Sequence, residues 1–172
     1  KTSSEGEQGQ EVVSYVQGVK YLGYFFYVMK GKCQLTVHPK AKSKMKAKLK
    51  ELTSEAMVGD MPRGSKNLKI HKGWVGYCHL ANMKRFLIEI DEWLRGRLRM
   101  CIWKSWKRVK TRIANLIKCG IDKYQAYMWG NSRLGYWRIA GSYIQCRAIT
   151  SEKLSMASYV TLTGSYLECY PK

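Results

Sequence analysis

The sequence predicts a mainly α-helical protein in which a short N-terminal β-hairpin, within residues 1–38, precedes an all-helical bundle spanning residues 39–172. Three observations carry this expectation. β-Branched and aromatic residues crowd the stretch from Glu11 to His38 around a Lys-Gly-Lys turn at 30–32. From Pro39 onwards apolar residues recur at helical spacing. Hydrophobic residues make up 45% of the 172 residues, with six Trp and twelve Tyr, enough to bury a core and to exclude a disordered basic tail.

In chain order, residues 1–10 (KTSSEGEQGQ) are polar, and VVSYVQGVKYLGYFFYVMKGKCQLTVH reads as a hairpin with room for a leading strand. A hairpin alone is marginal in water, and the run Tyr21 to Tyr27 exposes apolar surface on both faces unless something covers it, so the chain is expected to start at a cut end. Pro39 opens a helix whose stripe is Ala41, Met45, Leu49, Leu52 and Ala56, coated by Lys40, Lys42, Lys44, Lys46, Lys48 and Lys50. After the loop GDMPRGS, residues Ile70, Trp74, Tyr77, Cys78 and Ala81 form the stripe of a second helix. Gly73 and Gly76 interrupt it, each costing about 1 kcal/mol relative to Ala, so a closely approaching backbone is expected there, of a packed helix or of RNA.

The longest helix is expected from Asn82 to Trp106, with Met83, Leu87, Ile90, Leu94, Leu98 and Cys101 on one face. TRIANLIKCG is a short helix closed by Gly120, and Asp122 is the N-cap of KYQAYMWG. RLGYWRIAGSYIQCRAI is helical around Trp137, and Thr150 or Ser151 caps a last short helix.

Thirty-one Lys and Arg against twelve Asp and Glu give a formal charge of +19, far more than solubility requires, and point to a polyanionic partner. No apolar run approaches the roughly 20 residues of a membrane span, and the opening lacks a secretory apolar stretch. A cytoplasmic protein, bacterial or organellar, is expected, with no membrane partner. The six cysteines stand singly with no C-x-x-C pair and read as reduced core thiols rather than a disulfide framework. His38, His71 and His79 never fall at ligand spacing with a cysteine pair, so no metal site is expected.

The densest chemistry lies in DEWLRGRLRMCIWKSWKRVKTR, which holds Arg95, Arg97, Arg99, Lys104, Lys107, Arg108, Lys110 and Arg112 with Trp103 and Trp106 among them. On a helical wheel Arg99, Trp103 and Lys107 fall opposite the apolar stripe, and Arg97, Lys104 and Arg108 on its shoulder. Guanidinium groups grip phosphates and indoles offer a stacking face, the combination suited to RNA. Any one of these residues taken singly is as well explained by solvation or packing; the aggregate imbalance is not. No acidic residue lies between Lys40 and Lys50, where a merely solvating face would mix signs. The carboxylates Glu89, Asp91 and Glu92 are accounted for by i,i+4 pairs from Arg85 to Glu89 and Asp91 to Arg95, which leaves no catalytic residue to name.

Three stretches together resemble the group II intron-encoded reverse transcriptase and maturase family: GVKYLGYFFY with VHPK; IHKGWVGYCHLANMKRFLIEIDEWLRGRLRMCIWKSWK; and IDKYQAYMWGNSRLGYWRIA. The resemblance implies that residues 1–38 correspond to the end of the polymerase palm and residues 39–172 to the thumb, or X, maturase domain. It also implies that the metal-binding Asp-Asp motif lies upstream, so that this chain has no cofactor of its own and Mg2+ belongs to the missing palm and to the ribozyme. The matching positions are Lys72, Gly73, Trp74 and Tyr77; Trp93, Arg95, Arg97, Leu98, Arg99, Trp103, Lys104, Trp106 and Lys107; and Gly130, Asn131, Arg133, Gly135, Tyr136 and Trp137. Arg138 extends the last group as an RNA contact. Two departures are Lys72 and Gly96, where the family usually carries Arg. No stretch resembles the DNA-binding or endonuclease regions of some relatives, so no DNA cleavage is expected.

The implied function is binding of group II intron RNA to promote splicing, and clamping of template–primer duplex as a reverse transcriptase thumb. Two alternatives stand beside it: one part of a split RNA-directed DNA polymerase, completed by a separate palm and fingers polypeptide, and a general basic helical DNA-binding protein.

Overall fold

A computed structural model describes residues 19–55, 70–156 and 161–169. Three antiparallel strands come first: β1 (Lys20–Tyr21), β2 (Tyr24–Met29) and β3 (Lys32–Val37), in the order β1-β2-β3. Both connections are two-residue turns with positive φ at each central position, Leu22-Gly23 (47° and 84°) and Lys30-Gly31 (72° at the glycine). That geometry matches the twist of the flanking strands, and it sets the register that pairs Tyr24 with Val37 and Met29 with Lys32. The expected leading strand is thus present as β1; residues 11–18 lie outside the described residues.

The aromatic hairpin is covered on one side. Tyr24 packs against the core and its hydroxyl donates to the Tyr77 carbonyl, while the Tyr77 hydroxyl donates to the Leu22 carbonyl at 2.8 Å. The Asn82 N–H donates to Leu35 O at 2.8 Å. Tyr21, Leu22, Val28 and Met29 stay exposed.

Helices make up most of the remaining described residues. They are α1 (Pro39–Glu55), α2 (Ile70–Tyr77), α3 (Lys84–Ser105), α4 (Val109–Lys118), α5 (Lys123–Gly130), α6 (Tyr136–Ala140), α7 (Tyr143–Ala148), α8 (Ser151–Met156) and α9 (Leu162–Cys169). The spine is α3, and all six residues of its expected stripe, Met83 to Cys101, are buried. Met45, Leu49 and Leu52 of α1 are buried, with Ala41 half-buried; Ala56 lies outside the described residues. On α2 the stripe is shifted: Val75 is buried and Tyr77 exposed, because Tyr77 turns to the hairpin while Cys78 and Ala81 enter the core from the turn that follows.

Several local expectations change in the fold. The stretch around Trp137 is two helices, since Gly141 ends α6 and Ser142 caps α7 by accepting from the Gln145 N–H. Thr150 caps α8, accepting from the Lys153 N–H, but α8 is followed by a further helix, α9. Asp122 caps α5 as expected, accepting from the Tyr124 N–H at 2.9 Å.

Asp91 does not pair with Arg95 at the surface. It is 3% exposed, and its two carboxylate oxygens accept from the N–H groups of Leu162 and Thr163 at 3.0 and 2.9 Å. These are the first donors of α9, which lack intrahelical partners, and the helix dipole favours an anion there. The tie is long-range, so helical spacing on α3 alone could not reveal it.

A Cβ added at Gly73 or Gly76 would meet no described atom within 4 Å, so helix packing among the described residues is not the reason for these glycines. Gly96 has a neighbour, the indole of Trp137, and Gly130 is pressed against Ile113 of α4, whose Cγ1 would lie 2.5 Å from an added Cβ. All six cysteines are free thiols; Cys78 and Cys101 are buried, but Cys33 and Cys169 are exposed near the ends of β3 and α9 and are not core thiols.

Candidate nucleic-acid interface

The lysines of α1 split into two kinds. Lys40, Lys44, Lys46, Lys48 and Lys50 are exposed and Lys42 is half-buried. Lys42 places its ammonium 5.2 Å from the centre of the Phe86 ring, and Lys46 lies 5.3 Å from that of Trp93. Lys48 pairs with Glu51 at 2.9 Å. The lysine stems thus cover α3 aromatics while their charges remain at the surface, as long cationic side chains do.

On α3 and its exit the structure divides the expected cations more sharply. Arg97 donates through Nε and Nη2 to Thr53 Oγ1 and through Nη2 to Lys50 O, tying α3 to α1. Arg99 donates to Ile149 O at 3.0 Å and to Cys146 Sγ at 3.3 Å. Arg112 donates to Trp106 O at 2.9 Å and lies 5.0 Å from the centre of the Trp103 ring. Arg99 and Arg112 both sit where a helix ends in unpaired carbonyls, a position that favours a cation.

Trp103 is the clearest correction. The wheel places it opposite the apolar stripe, but it is 1% exposed. The chain turns back after Ser105, so that Arg112 and Trp106 close over the indole, with the two Trp ring centres 5.8 Å apart. The ring thus offers almost no open surface, although it lines the cavity between the α3 exit and the turn before α6. Trp106 is half-buried against the same core.

Burial also pushes the Cys101 thiol above its ordinary range despite Arg97 and Lys104 nearby, and drives Cys78 up to about 11.

What stays open at this end of the molecule is the group Lys104, Lys107, Arg108 and Lys110, all exposed and with no side-chain hydrogen bond or ion pair to a described residue. Arg95 is half-buried, and Trp74 of α2 is half-buried against the core; the side chain of Lys72 lies outside the described residues. Arg133, Tyr136 and Arg138 are exposed.

A cavity of about 580 Å³ joins the α3 exit to the Gly-Asn-Ser-Arg turn before α6, lined by Arg112, Asn131, Ser132, Arg133 and Tyr136 among others. The fold thus brings together the second and third segments singled out in the sequence. Ser132, whose hydroxyl accepts from the Leu134 N–H, lines this cavity without any sequence signal of its own.

Among the described residues no three His, Cys, Asp or Glu side chains converge as metal ligands, and no helix is long and apolar enough to cross a membrane. Glu89 pairs with Arg85 and Asp91 holds α9, so the carboxylates of α3 are not gathered on one point.

Residues 42–120, from the lysine helix to the end of α4, match the family described as group II intron, maturase-specific domain. No curated protein matches the chain.

Proposed function

We propose that the chain binds group II intron RNA and promotes splicing by stabilising the folded ribozyme, a reading supported by the match of residues 42–120 to the group II intron, maturase-specific domain family. One observation carries this reading: Lys104, Lys107, Arg108 and Lys110 stand exposed together at the end of α3, in a chain of net charge +19. Close packing of RNA helices is opposed by phosphate repulsion. A rigid cationic surface offsets that repulsion and holds the helices in one arrangement, so the RNA performs the chemistry and the protein supplies charge and position. The same surface would clamp the template–primer duplex of a reverse transcriptase, whose backbone presents the same phosphates.

Arg97, Arg99 and Arg112 brace the cationic group at the α3 exit and are not members of it. Their hydrogen bonds fix α3 against α1, α7 and its own exit, which sets where the exposed cations stand.

The test compares binding of a group II intron RNA with binding of an unrelated structured RNA across a salt series, for the parent chain and a Lys104, Lys107, Arg108 and Lys110 to Gln variant. Each phosphate contact contributes about 0.9 to the log–log salt slope on duplex, so losing all four contacts should make the variant's slope shallower by about 3.6. Preference for the intron RNA, reduced affinity of the variant and a shallower slope are expected. Equal affinity for both RNAs, or a variant that behaves like the parent, removes this assignment.

A further inference from the structure

Trp137, on α6, is half-exposed at 51% although it carries one of the largest apolar side chains in the protein. Its ring atoms Cη2 and Cζ3 lie 3.4 and 3.8 Å from where a Cβ on Gly96 would be, so the indole meets α3 with the edge of its six-membered ring. Two cavities border it, one of about 440 Å³ between α1 and α3 and one of about 230 Å³ between α3 and the C-terminal end of α6. The indole therefore lines both openings and reaches α3 where position 96 has no side chain.

The two cavities differ in charge. The larger is lined by Lys46, Lys50 and Arg97, with Trp93 beside Trp137 and no acidic residue. The smaller is lined by both Glu92 and Arg99. Lys46 and Arg97 also lie over the Trp93 ring, at 5.3 and 5.8 Å from its centre, so the cations are positioned by the same aromatic surface that lines the cavity. Two indoles and three cations around one opening suit a ligand with a flat aromatic part and an anionic part.

We propose that the α1–α3–α6 cavity takes a single unstacked nucleotide of the bound RNA, its base stacked on Trp137 and its phosphate beside Lys46, Lys50 and Arg97. The volume lies in the roughly 300–1,000 Å³ range of small-ligand pockets. Bases within an A-form duplex have their faces covered by their neighbours, so only a bulged, looped or terminal nucleotide can present one to an indole. This inference rests on the RNA-binding reading above and adds to it a point of shape recognition away from the α3 exit.

The experiment uses the full chain with Trp137→Ala and Trp137→Phe variants, the intron RNA, and poly-glutamate as a second polyanion. Affinity is measured across a salt series, the Trp137 indole N–H is followed by NMR, and thermal melts of both variants confirm the fold. Trp137→Ala should bind the RNA about tenfold more weakly, within the range for loss of one base–aromatic stack. Its salt slope should be unchanged because no charge is removed. Trp137→Phe should restore most of the affinity, and the indole signal should shift with RNA and not with poly-glutamate.

If the RNA binds the parent and Trp137→Ala equally, the nucleotide site is overturned while the cationic interface stands. If Trp137→Phe fails to restore binding, or the salt slope changes, Trp137 acts by placing the lysines and the stacking claim falls. A shift with poly-glutamate would make this a general polyanion site. If the parent binds no RNA, both readings fall together.

Discussion

Asp91 has a role that its neighbours on α3 do not share. Its carboxylate is buried and accepts from two backbone donors at the start of α9, so its removal leaves those N–H groups without an acceptor away from water. Asp91→Ala should lower stability by about 1–3 kcal/mol, measured by urea denaturation. Asp91→Asn should lose less, since an amide oxygen still accepts one bond while the charge opposite the helix dipole is gone. Glu89→Ala, which removes only an exposed pair 3.6 Å from Arg85, should change stability by no more than about 1 kcal/mol.

Among the elements, α4 and α5 form an antiparallel pair whose separation is set by Gly130. With Ile113 Cγ1 only 2.5 Å from where a Cβ would lie, Gly130→Ala must push the helices apart or force Ile113 out of its rotamer. The expected loss is about 1–3 kcal/mol, and Ile113→Val in the same background should recover little of it, because valine keeps a γ carbon where Cγ1 stands and loses only the more distant Cδ1. Thermal denaturation of the two variants checks both. The consequence reaches the candidate interface, because α5 leads into the Asn131–Arg133 wall of the 580 Å³ cavity. A change at Gly130 that moved this wall would weaken RNA binding without removing a contact residue.

For the molecule as a whole, the free thiols report on cooperative unfolding. Cys33 and Cys169 are exposed and should react with a thiol reagent in the native state, while Cys78 and Cys101 should react only as the protein unfolds. Burial raises the Cys78 thiol from 9.0 to about 11, so between those values the unfolded chain releases a proton that the folded one retains. This contribution to stability is complete below pH 9 and is lost as pH rises towards 11, which should appear as a falling denaturation midpoint over that interval. Cys78→Ala should flatten the fall.

The sequence by itself determined what local chemistry controls. Periodicity placed α3 and its buried stripe from Met83 to Cys101, Asp122 announced the start of α5, Gly120 with φ +88° closed α4, and Lys30-Gly31 marked the hairpin turn. The charge excess, likewise a sum over residues, required no fold to be read. Tertiary structure decided what depends on pairs distant in the chain: that Trp103 is buried under Arg112, that Arg97 and Arg99 brace neighbouring elements, that Asp91 holds a helix 71 residues away, and that Trp137 stands on Gly96. A helical wheel gives each residue a direction from its own axis, but whether that direction meets solvent, a carbonyl or another ring is settled only by where the next helix packs.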